Sequence, residues 1–140
     1  IDFLRGRLPY AYSLLRESDP RLFKIPAIVE GELRVGAEKS SNPEKARWLV
    51  DEFMLPFEVL PFDSSCARAY GRIRAQLERA GKTIGHNDLL IAATALANNA
   101  VLVTGNVDEF KRVPGLSIES WYEMTWEELG MGSLAEPERL

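Results

Sequence analysis

The chain has 140 residues, with 17 lysines and arginines against 21 aspartates and glutamates, and a single cysteine. This length favours one domain with a buried core, and a lone cysteine excludes both an intramolecular disulfide and a cysteine-cluster metal site. No apolar run approaches the roughly 20 residues that span a bilayer. The composition therefore predicts a cytoplasmic protein with no membrane segment.

The charge is unevenly distributed along the chain. Residues 119–140 contain six acidic residues and one basic residue, whereas residues 1–118 contain 15 acidic and 16 basic residues. Because the body is close to neutral, the net charge of −4 does not argue against binding of nucleic acid by the body. We expect residues 122–140 to form an acidic C-terminal extension whose side chains are solvated.

Helix and strand signals alternate in the first half of the chain. Residues 9–17 are predicted to form a helix, and the apolar run at 23–29 is predicted to form a buried strand. A helix should follow, from Glu30 or Glu32 to about residue 37. Asn42 is a predicted N-cap, with proline in the first turn of a helix that ends at the next proline, position 56.

The same alternation continues after a predicted strand at residues 57–60. Asp63 should cap a long helix that Gly81 ends. One face of this helix carries an apolar stripe made of Cys66, Tyr70, Ile73 and Leu77. Cys66 is expected to be an inert core residue at this position.

The last predicted elements are an alanine-rich helix and two strands. The helix runs from Asn87 or Asp88 to about residue 98, followed by an apolar strand at 100–103 and a short strand at 117–119. Strands that alternate with helices predict an α/β domain with a mainly parallel sheet. In such sheets ligands bind at the carboxyl ends of the strands.

Three stretches with oxygen-bearing side chains follow predicted strands or open helices, at residues 29–33, 85–88 and 104–109. A parallel sheet could bring them to one edge, where crowded carboxylates would repel one another. Since the chain has one histidine and one cysteine, such a site suits Mg²⁺ or Mn²⁺, which take oxygen ligands. A cation of this kind activates water and neutralises phosphate charge, so the pattern points to phosphoryl chemistry.

Positive charge for a phosphodiester substrate is available on the long helix. Arg68, Arg72 and Arg79 share one face at spacings of four and seven residues. The alternative, which we favour for these arginines, is that they only solvate an exposed helix. Tyr70 and Trp48 are interpreted as core or dimer contacts rather than as platforms for stacked bases.

Residues 32–40 (ELRVGAEKS), 85–93 (GHNDLLIAA) and 102–110 (LVTGNVDEF) occur in this order and at suitable spacing. They resemble the second, third and fourth motifs of the VapC-type toxins, the PIN-domain ribonucleases of toxin–antitoxin pairs. Residues 113–116 and Trp121 also match the usual ending of this family. The likeness spans residues 1 to about 121.

The resemblance implies a fold and a function. The fold would be a PIN-like three-layer α/β/α sandwich with a mainly parallel central sheet. The function would be that of an Mg²⁺- or Mn²⁺-dependent endoribonuclease toxin that hydrolyses RNA phosphodiester bonds, with tRNA as a candidate substrate. The implied partners are a VapB-like antitoxin and a second copy of the chain in a homodimer.

The resemblance also implies roles for individual residues. Glu32, Asp88 and Asn106 would be metal ligands and catalytic residues, and Asp108 or Glu109 would assist them. Taken singly, each has another interpretation. Glu32 could complement the dipole near a helix start, Asp88 could be an N-cap or first-turn acid, and Asn106 and Asp108 could be turn residues.

His86, the only histidine, could be a general base. We favour a role in the loop or at the edge of the substrate, because the family places varied residues at this position.

One feature departs from the family pattern. The family begins with a strand that ends in an Asp-Thr-Asn motif, whereas residues 1–6 match the segment that comes directly after that motif. We therefore expect residues 1–121 to be an N-terminally truncated PIN domain. The alternative is a catalytically silent PIN module that dimerises and binds antitoxin, and the reading frame upstream of Ile1 would separate the two. A phospho-acceptor signalling domain on a similar sheet ranks below both.

Overall fold

The structure is a computed structural model that describes residues 20–120. The predicted helix at 9–17, Trp121 and the acidic extension at 122–140 lie outside these residues. The described chain divides into two compact units, which we describe separately. The first unit comprises residues 20–25 and 29–59, and the second comprises residues 26–28 and 60–120.

The first half of the described chain contains two strands, two α-helices and a short 3₁₀ helix. In chain order they are the 3₁₀ helix Pro20–Leu22, β1 (Lys24–Pro26), α1 (Ala27–Glu38), α2 (Pro43–Met54) and β2 (Glu58–Leu60). The strands β1 and β2 pair in a two-stranded sheet. An ion pair between Lys24 Nζ and Glu58 Oε2, 3.3 Å apart, links the two strands on their exposed side.

The strand predicted at residues 23–29 is shorter than expected. The structure ends it at Pro26 and starts α1 at Ala27, so the prediction of strand for residues 27–29 was wrong. A short apolar run suits a buried strand and a buried helix equally well, because periodicity does not distinguish them. Proline has no N–H to donate to a strand ladder, which is consistent with the strand ending there.

The predicted start and end of α2 are confirmed. The Asn42 side chain accepts a hydrogen bond from the Lys45 N–H at 3.3 Å, and proline occupies the first position of the helix. The helix ends at Met54, two residues before Pro56. Local sequence therefore sets both ends of this helix.

Trp48 is not a core residue, which corrects one of the two expectations for it. Its side chain is 58% exposed, whereas Val50, Phe53 and Met54 of the same helix are buried. These three buried residues recur at spacings of three and four, so they define the inward face of α2. Trp48 falls outside that face, and its expected role as a dimer contact stays a prediction.

The second unit contains three α-helices and a parallel pair of strands. They are α3 (Ser64–Ala80), α4 (His86–Ala97), β3 (Leu102–Thr104), α5 (Val107–Phe110) and β4 (Ile118–Ser120). In the parallel pair, Leu102 lies opposite Ile118 and Thr104 lies opposite Ser120. The predicted alternation of helix and strand and the parallel pairing are thus confirmed, with four described strands in two two-stranded sheets.

The core of the second unit lies between α3 and α4, which pack against each other. From α3 it contains the buried Cys66, Ile73 and Leu77 of the predicted stripe. From α4 it contains Ala92 and Ala93, both fully buried, and their small side chains let the two helices approach closely. This packing fixes the start of α4, where the third sequence motif lies.

Both predicted ends of α3 are confirmed. The Asp63 carboxylate accepts a hydrogen bond from the Cys66 N–H at 3.1 Å. Gly81 ends the helix with φ of 67°, a left-handed conformation that glycine adopts without a steric penalty.

Within residues 20–120, no helix combines the length and apolar character needed to cross a membrane.

The cap on α3 predicts a measurable loss of stability. Replacing Asp63 with alanine should lower the melting temperature by roughly 2–5 °C, because the first turn loses its side-chain acceptor. The Cys66 N–H holds the pKa of Asp63 below its ordinary value. The stabilisation by the ionised carboxylate is therefore present above that ordinary value and is lost as the pH falls through the lower pKa of the folded state.

The control for this prediction is Asp63→Asn, which keeps a capping oxygen but does not titrate. Its melting temperature should approach that of the unmodified protein in acid, where Asp63 is protonated. A difference between the two proteins that stays constant from neutral pH down to strong acid would contradict the assigned role.

Candidate active site

The turn after β3 holds Asn106 against Glu109. The Asn106 N–H donates to Thr104 Oγ1 at 3.0 Å, which fixes the turn. Asn106 is the N-cap of α5 by position, but its side chain does not cap the helix. Instead, Asn106 Nδ2 donates to Glu109 Oε2 at 2.6 Å. The turn residue thus orients a carboxylate three positions further along the chain.

The start of α4 brings a second carboxylate to the same place. The Gly85 N–H donates to Glu109 Oε1 at 2.6 Å, and Asp88 is near enough to Glu109 to lower the pKa of its carboxyl group. Both carboxylates lie against Gly85, since a Cβ on this residue would be 3.4 Å from Glu109 Oε1 and 3.5 Å from Asp88 Oδ2. We call Asp88 and Glu109, with Asn106 and Gly85 around them, the acidic cluster.

The electrostatics of the acidic cluster favour a charged Glu109. The hydrogen bond from the Gly85 N–H, then those of Asp88 and Asn106, hold the pKa of Glu109 below its ordinary value against the opposing effect of burial. The positive charge of Arg112 acts in the same direction. Two carboxylates placed this close together repel each other unless a proton or a cation lies between them. The cluster can therefore accept a cation in place of a proton.

Two of the four predicted catalytic residues, Asp88 and Asn106, meet at Glu109. Asp108 does not join them, because its side chain is 93% exposed and pairs with Lys111 Nζ at 3.1 Å. Of the two acids expected to assist the ligands, Asp108 or Glu109, the structure therefore places Glu109 in the cluster. A short helix starting at Val107 explains this, since position 109 is three residues from Asn106 and returns to its side of the helix.

Glu32 lies in the first unit, on the second turn of α1, and is half-buried. The first-turn acid of this helix is Glu30, which pairs with Arg34 Nη2 at 3.0 Å. Because a helix dipole acts mainly within the first turn, the dipole interpretation suits Glu30 better than Glu32. The metal-ligand role of Glu32 stays a prediction.

The structure also shows the surroundings of three further residues that the sequence analysis named. His86 opens α4, is exposed, and stands edge-on to the Tyr70 ring at 6.2 Å between centroids. Arg68 donates to the hydroxyl groups of Ser64 and Ser65 on its own helix, as expected of an arginine that solvates a helix face. Cys66 is buried, in agreement with its expected place in the core.

The chemistry of the acidic cluster suits a hard divalent cation. Mg²⁺ keeps several waters and is often held by only one or two carboxylates together with substrate phosphate. Asp88 and Glu109 provide two carboxylates, and the Asn106 side chain adds an amide oxygen. Within residues 20–120, no three histidine, cysteine, aspartate or glutamate side chains are grouped so that they could hold a metal ion. The cluster thus supplies part of a binding site, of the chemical kind that Mg²⁺ or Mn²⁺ uses.

Comparison with known proteins gives the same family as the motifs. The PIN domain family matches residues 5–116 of the chain. Ribonuclease VapC2 of Rickettsia felis is 45% identical over 97 residues, which make up 69% of this chain and 72% of that protein. The tRNA(fMet)-specific endonuclease VapC of Salmonella typhimurium is 43% identical over 97 residues, 69% of this chain and 74% of that protein.

A solved structure supports the fold. VapBC-1 from nontypeable Haemophilus influenzae matches with a TM-score of 0.74 and 30% identity, over 86% of this chain and 91% of that chain. The alternation of helices and strands and the parallel β3–β4 pair agree with this likeness. The chain therefore has a PIN-like α/β fold and belongs to the PIN-domain family, among its VapC-type toxins.

Proposed function

We propose that this protein is a ribonuclease toxin that hydrolyses RNA phosphodiester bonds with Mg²⁺ or Mn²⁺ at the acidic cluster. The observation that carries the proposal is the placement of the Asp88 and Glu109 carboxylates together against Gly85. Two carboxylates in contact are costly without a proton or a cation between them. Asn106 and Glu32 are the further proposed ligands, the latter from the resemblance to the family.

Each residue of the acidic cluster has a separate task in this proposal. The Gly85 N–H and Asn106 Nδ2 each donate to one oxygen of Glu109, which fixes the plane of its carboxylate. Asp88 sits in the first turn of α4, where the helix dipole favours its ionised form. When bound, the cation supplies Lewis acidity for attack of water on the phosphodiester and neutralises charge on the phosphate.

RNA as the substrate class is supported by the relatives and by nearby positive charge. Two similar proteins are named as a ribonuclease and as a tRNA(fMet)-specific endonuclease, so tRNA is a candidate substrate here. Arg112 lies close enough to Glu109 to lower its pKa, and it can also attract an approaching phosphate. The names of the relatives and the positive charge beside the acidic cluster therefore both support RNA as the substrate class.

The proposed partners follow from the same relatives. A similar solved structure is that of VapBC-1, so we propose that a VapB-like antitoxin binds this chain and blocks cleavage. We also propose a homodimer, from the resemblance to the family. We place its action in the cytoplasm, since RNA is found there and the single cysteine is free. Adding such an antitoxin to the active protein should reduce cleavage in proportion to the fraction of toxin bound.

The direct test uses protein expressed from its full reading frame, incubated with RNA in the presence of Mg²⁺, Mn²⁺ or a chelator. Cleavage that requires the cation supports the proposal, and cleavage that is unchanged by the chelator contradicts the role of the metal. Antitoxin binding without any RNA cleavage would favour the alternative of a silent PIN module.

A further inference from the structure

A small cavity lies beside the acidic cluster in the second unit. It has a volume of about 220 Å³ and is lined by Arg74, Leu77, Glu78, Thr83, Ile84, His86 and Leu89. Leu77 and Leu89 are buried and form its floor, whereas the polar side chains are exposed and form its rim. The proposed cleavage reaction uses none of these residues.

The rim of the cavity is held by a connected set of contacts on α3. Arg74 donates to Glu78 Oε1 at 2.8 Å and to the Tyr70 hydroxyl at 2.9 Å. Its guanidinium lies 5.8 Å from the centre of the Tyr70 ring, which also contacts the His86 ring edge-on. Two flat groups, the guanidinium of Arg74 and the imidazole of His86, are therefore positioned at the mouth of the cavity.

The cavity and the acidic cluster share one wall, the loop between α3 and α4. Thr83 and His86 of this segment line the cavity. Gly85, directly before His86, donates to Glu109, and the Thr83 carbonyl accepts from Arg112 Nη1 at 3.1 Å. The same short loop therefore borders the cavity on one side and the acidic cluster on the other.

Size and charge restrict the ligand of the cavity. Its volume is below the roughly 300 Å³ at which sites for drug-sized ligands begin, so it suits a single ring system. The charges of Arg74 and Glu78 cancel in their ion pair, and a phosphate group would meet the Glu78 carboxylate. An apolar floor with a rim of planar and hydrogen-bonding groups therefore suits an uncharged, flat, polar-edged ring.

We propose that this cavity binds one unpaired nucleobase of the RNA, next to the phosphodiester that is cut. The proposal rests on the proposed ribonuclease function and adds a subsite to it. Proteins recognise single-stranded RNA by stacking splayed bases on histidine rings or arginine planes and by bonding to base edges. Here His86 and Arg74 supply the planes. Thr83 and Glu78 supply hydrogen-bonding groups for the edge of the base.

Glu78 gives the subsite a preference among bases. Glu78 accepts the hydrogen bond from Arg74 through Oε1. Among the described residues none is recorded as bonding to Oε2, so this oxygen can accept from N–H groups on a base. Guanine presents two adjacent N–H donors on its Watson–Crick edge, whereas uracil presents one. The cavity is thus expected to bind guanine more tightly than uracil, and Glu78→Gln should reduce that preference.

The test measures binding, so it does not depend on cleavage. The methyl NMR signals of Leu77, Ile84 and Leu89 are followed during titration with guanosine monophosphate, uridine monophosphate or inorganic phosphate. The guanosine nucleotide should shift all three residues and bind more tightly than the uridine nucleotide, and inorganic phosphate should leave them unchanged. Shifts of equal size with inorganic phosphate, or none with any nucleotide, would overturn the proposal.

A matched pair of variants locates the binding. Thr83→Trp fills the cavity from its exposed rim and should weaken nucleotide binding at least about fivefold, the smallest effect expected for losing one stacked base. Ala80→Trp adds the same ring at an exposed helix position outside the cavity and should leave binding unchanged. Equal effects of the two variants would contradict the proposed location.

The outcomes separate this subsite from the proposed ribonuclease function. In Asp88→Asn, loss of RNA cleavage with retained nucleotide shifts is the result expected if both proposals hold. Retained cleavage with nucleotide shifts would leave the subsite standing and reject the acidic cluster. Loss of cleavage with no nucleotide shifts in either protein would reject the subsite alone.

Discussion

Replacing Asp88 with asparagine is expected to lower the rate of metal-dependent RNA cleavage at least about a hundredfold, and in practice to abolish it. Asparagine has nearly the same shape and can still hydrogen-bond to Glu109, so the start of α4 should keep its structure. The variant loses the negative charge that holds the cation. RNA cleavage under saturating Mg²⁺ or Mn²⁺ measures the effect.

The control for this variant is its fold. The circular dichroism spectrum of Asp88→Asn should match that of the unmodified protein. Its melting temperature should be equal or higher, since a contact between two carboxyl groups is removed. Unchanged cleavage by a correctly folded Asp88→Asn protein would reject the metal role of this residue. A loss that higher Mn²⁺ concentrations partly restore would show that Asp88 acts mainly by binding the cation.

Glu109→Gln is expected to produce the second large effect, and Asp108→Asn, at the adjacent acid, is its matched control. Glutamine at 109 should lower cleavage at least about a hundredfold, because one of two cation-binding carboxylates is lost. Asp108→Asn should leave cleavage within about twofold, since surface substitutions have small effects. The two variants remove the same charge one residue apart and differ only in whether the side chain faces the cluster.

The contrast between these two variants also tests the placement of α5. Asp108 is 93% exposed and pairs with Lys111, whereas Glu109 accepts hydrogen bonds from Gly85 and Asn106. A larger loss from Asp108→Asn than from Glu109→Gln would show that the short helix presents the other carboxylate to the site.

The ends of the helices were predictable from sequence because they depend on near neighbours. Asn42, Asp63 and Gly81 act on backbone groups within a few residues, so residue type alone identified them. The boundary between β1 and α1 was not predictable in this way. An apolar run at 23–29 suits either element, and packing in three dimensions determines which one forms.

The acidic cluster was predictable in part. Asp88 and Asn106 could be named because sequence motifs and the rule for parallel sheets both pointed to them. The choice between Asp108 and Glu109 depended on a helix of four residues, too short for any periodic pattern to reveal. A helical interpretation of the turn would have selected Glu109, because it lies three positions after Asn106.

The cavity was not foreseen, since its walls come from α3, the following loop and α4. His86 was assigned to the loop or the edge of the substrate. The structure places it at the mouth of the cavity, and its substrate role stays a prediction. Nothing in the sequence marked Arg74 and Glu78 as the rim of a cavity. Their pairing is an ordinary contact between residues four apart on a helix, and only the adjacent cavity gives it a further meaning.

The most direct test of the central claim is the chemical identity of the RNA ends after cleavage in Mg²⁺ or Mn²⁺. If the acidic cluster holds a cation that promotes attack by water, the products carry a simple phosphate monoester and a free hydroxyl group, and a chelator stops their formation. Products ending in a 2′,3′-cyclic phosphate and formed in the presence of the chelator would mean that the RNA's own 2′-hydroxyl is the nucleophile, and would contradict the account.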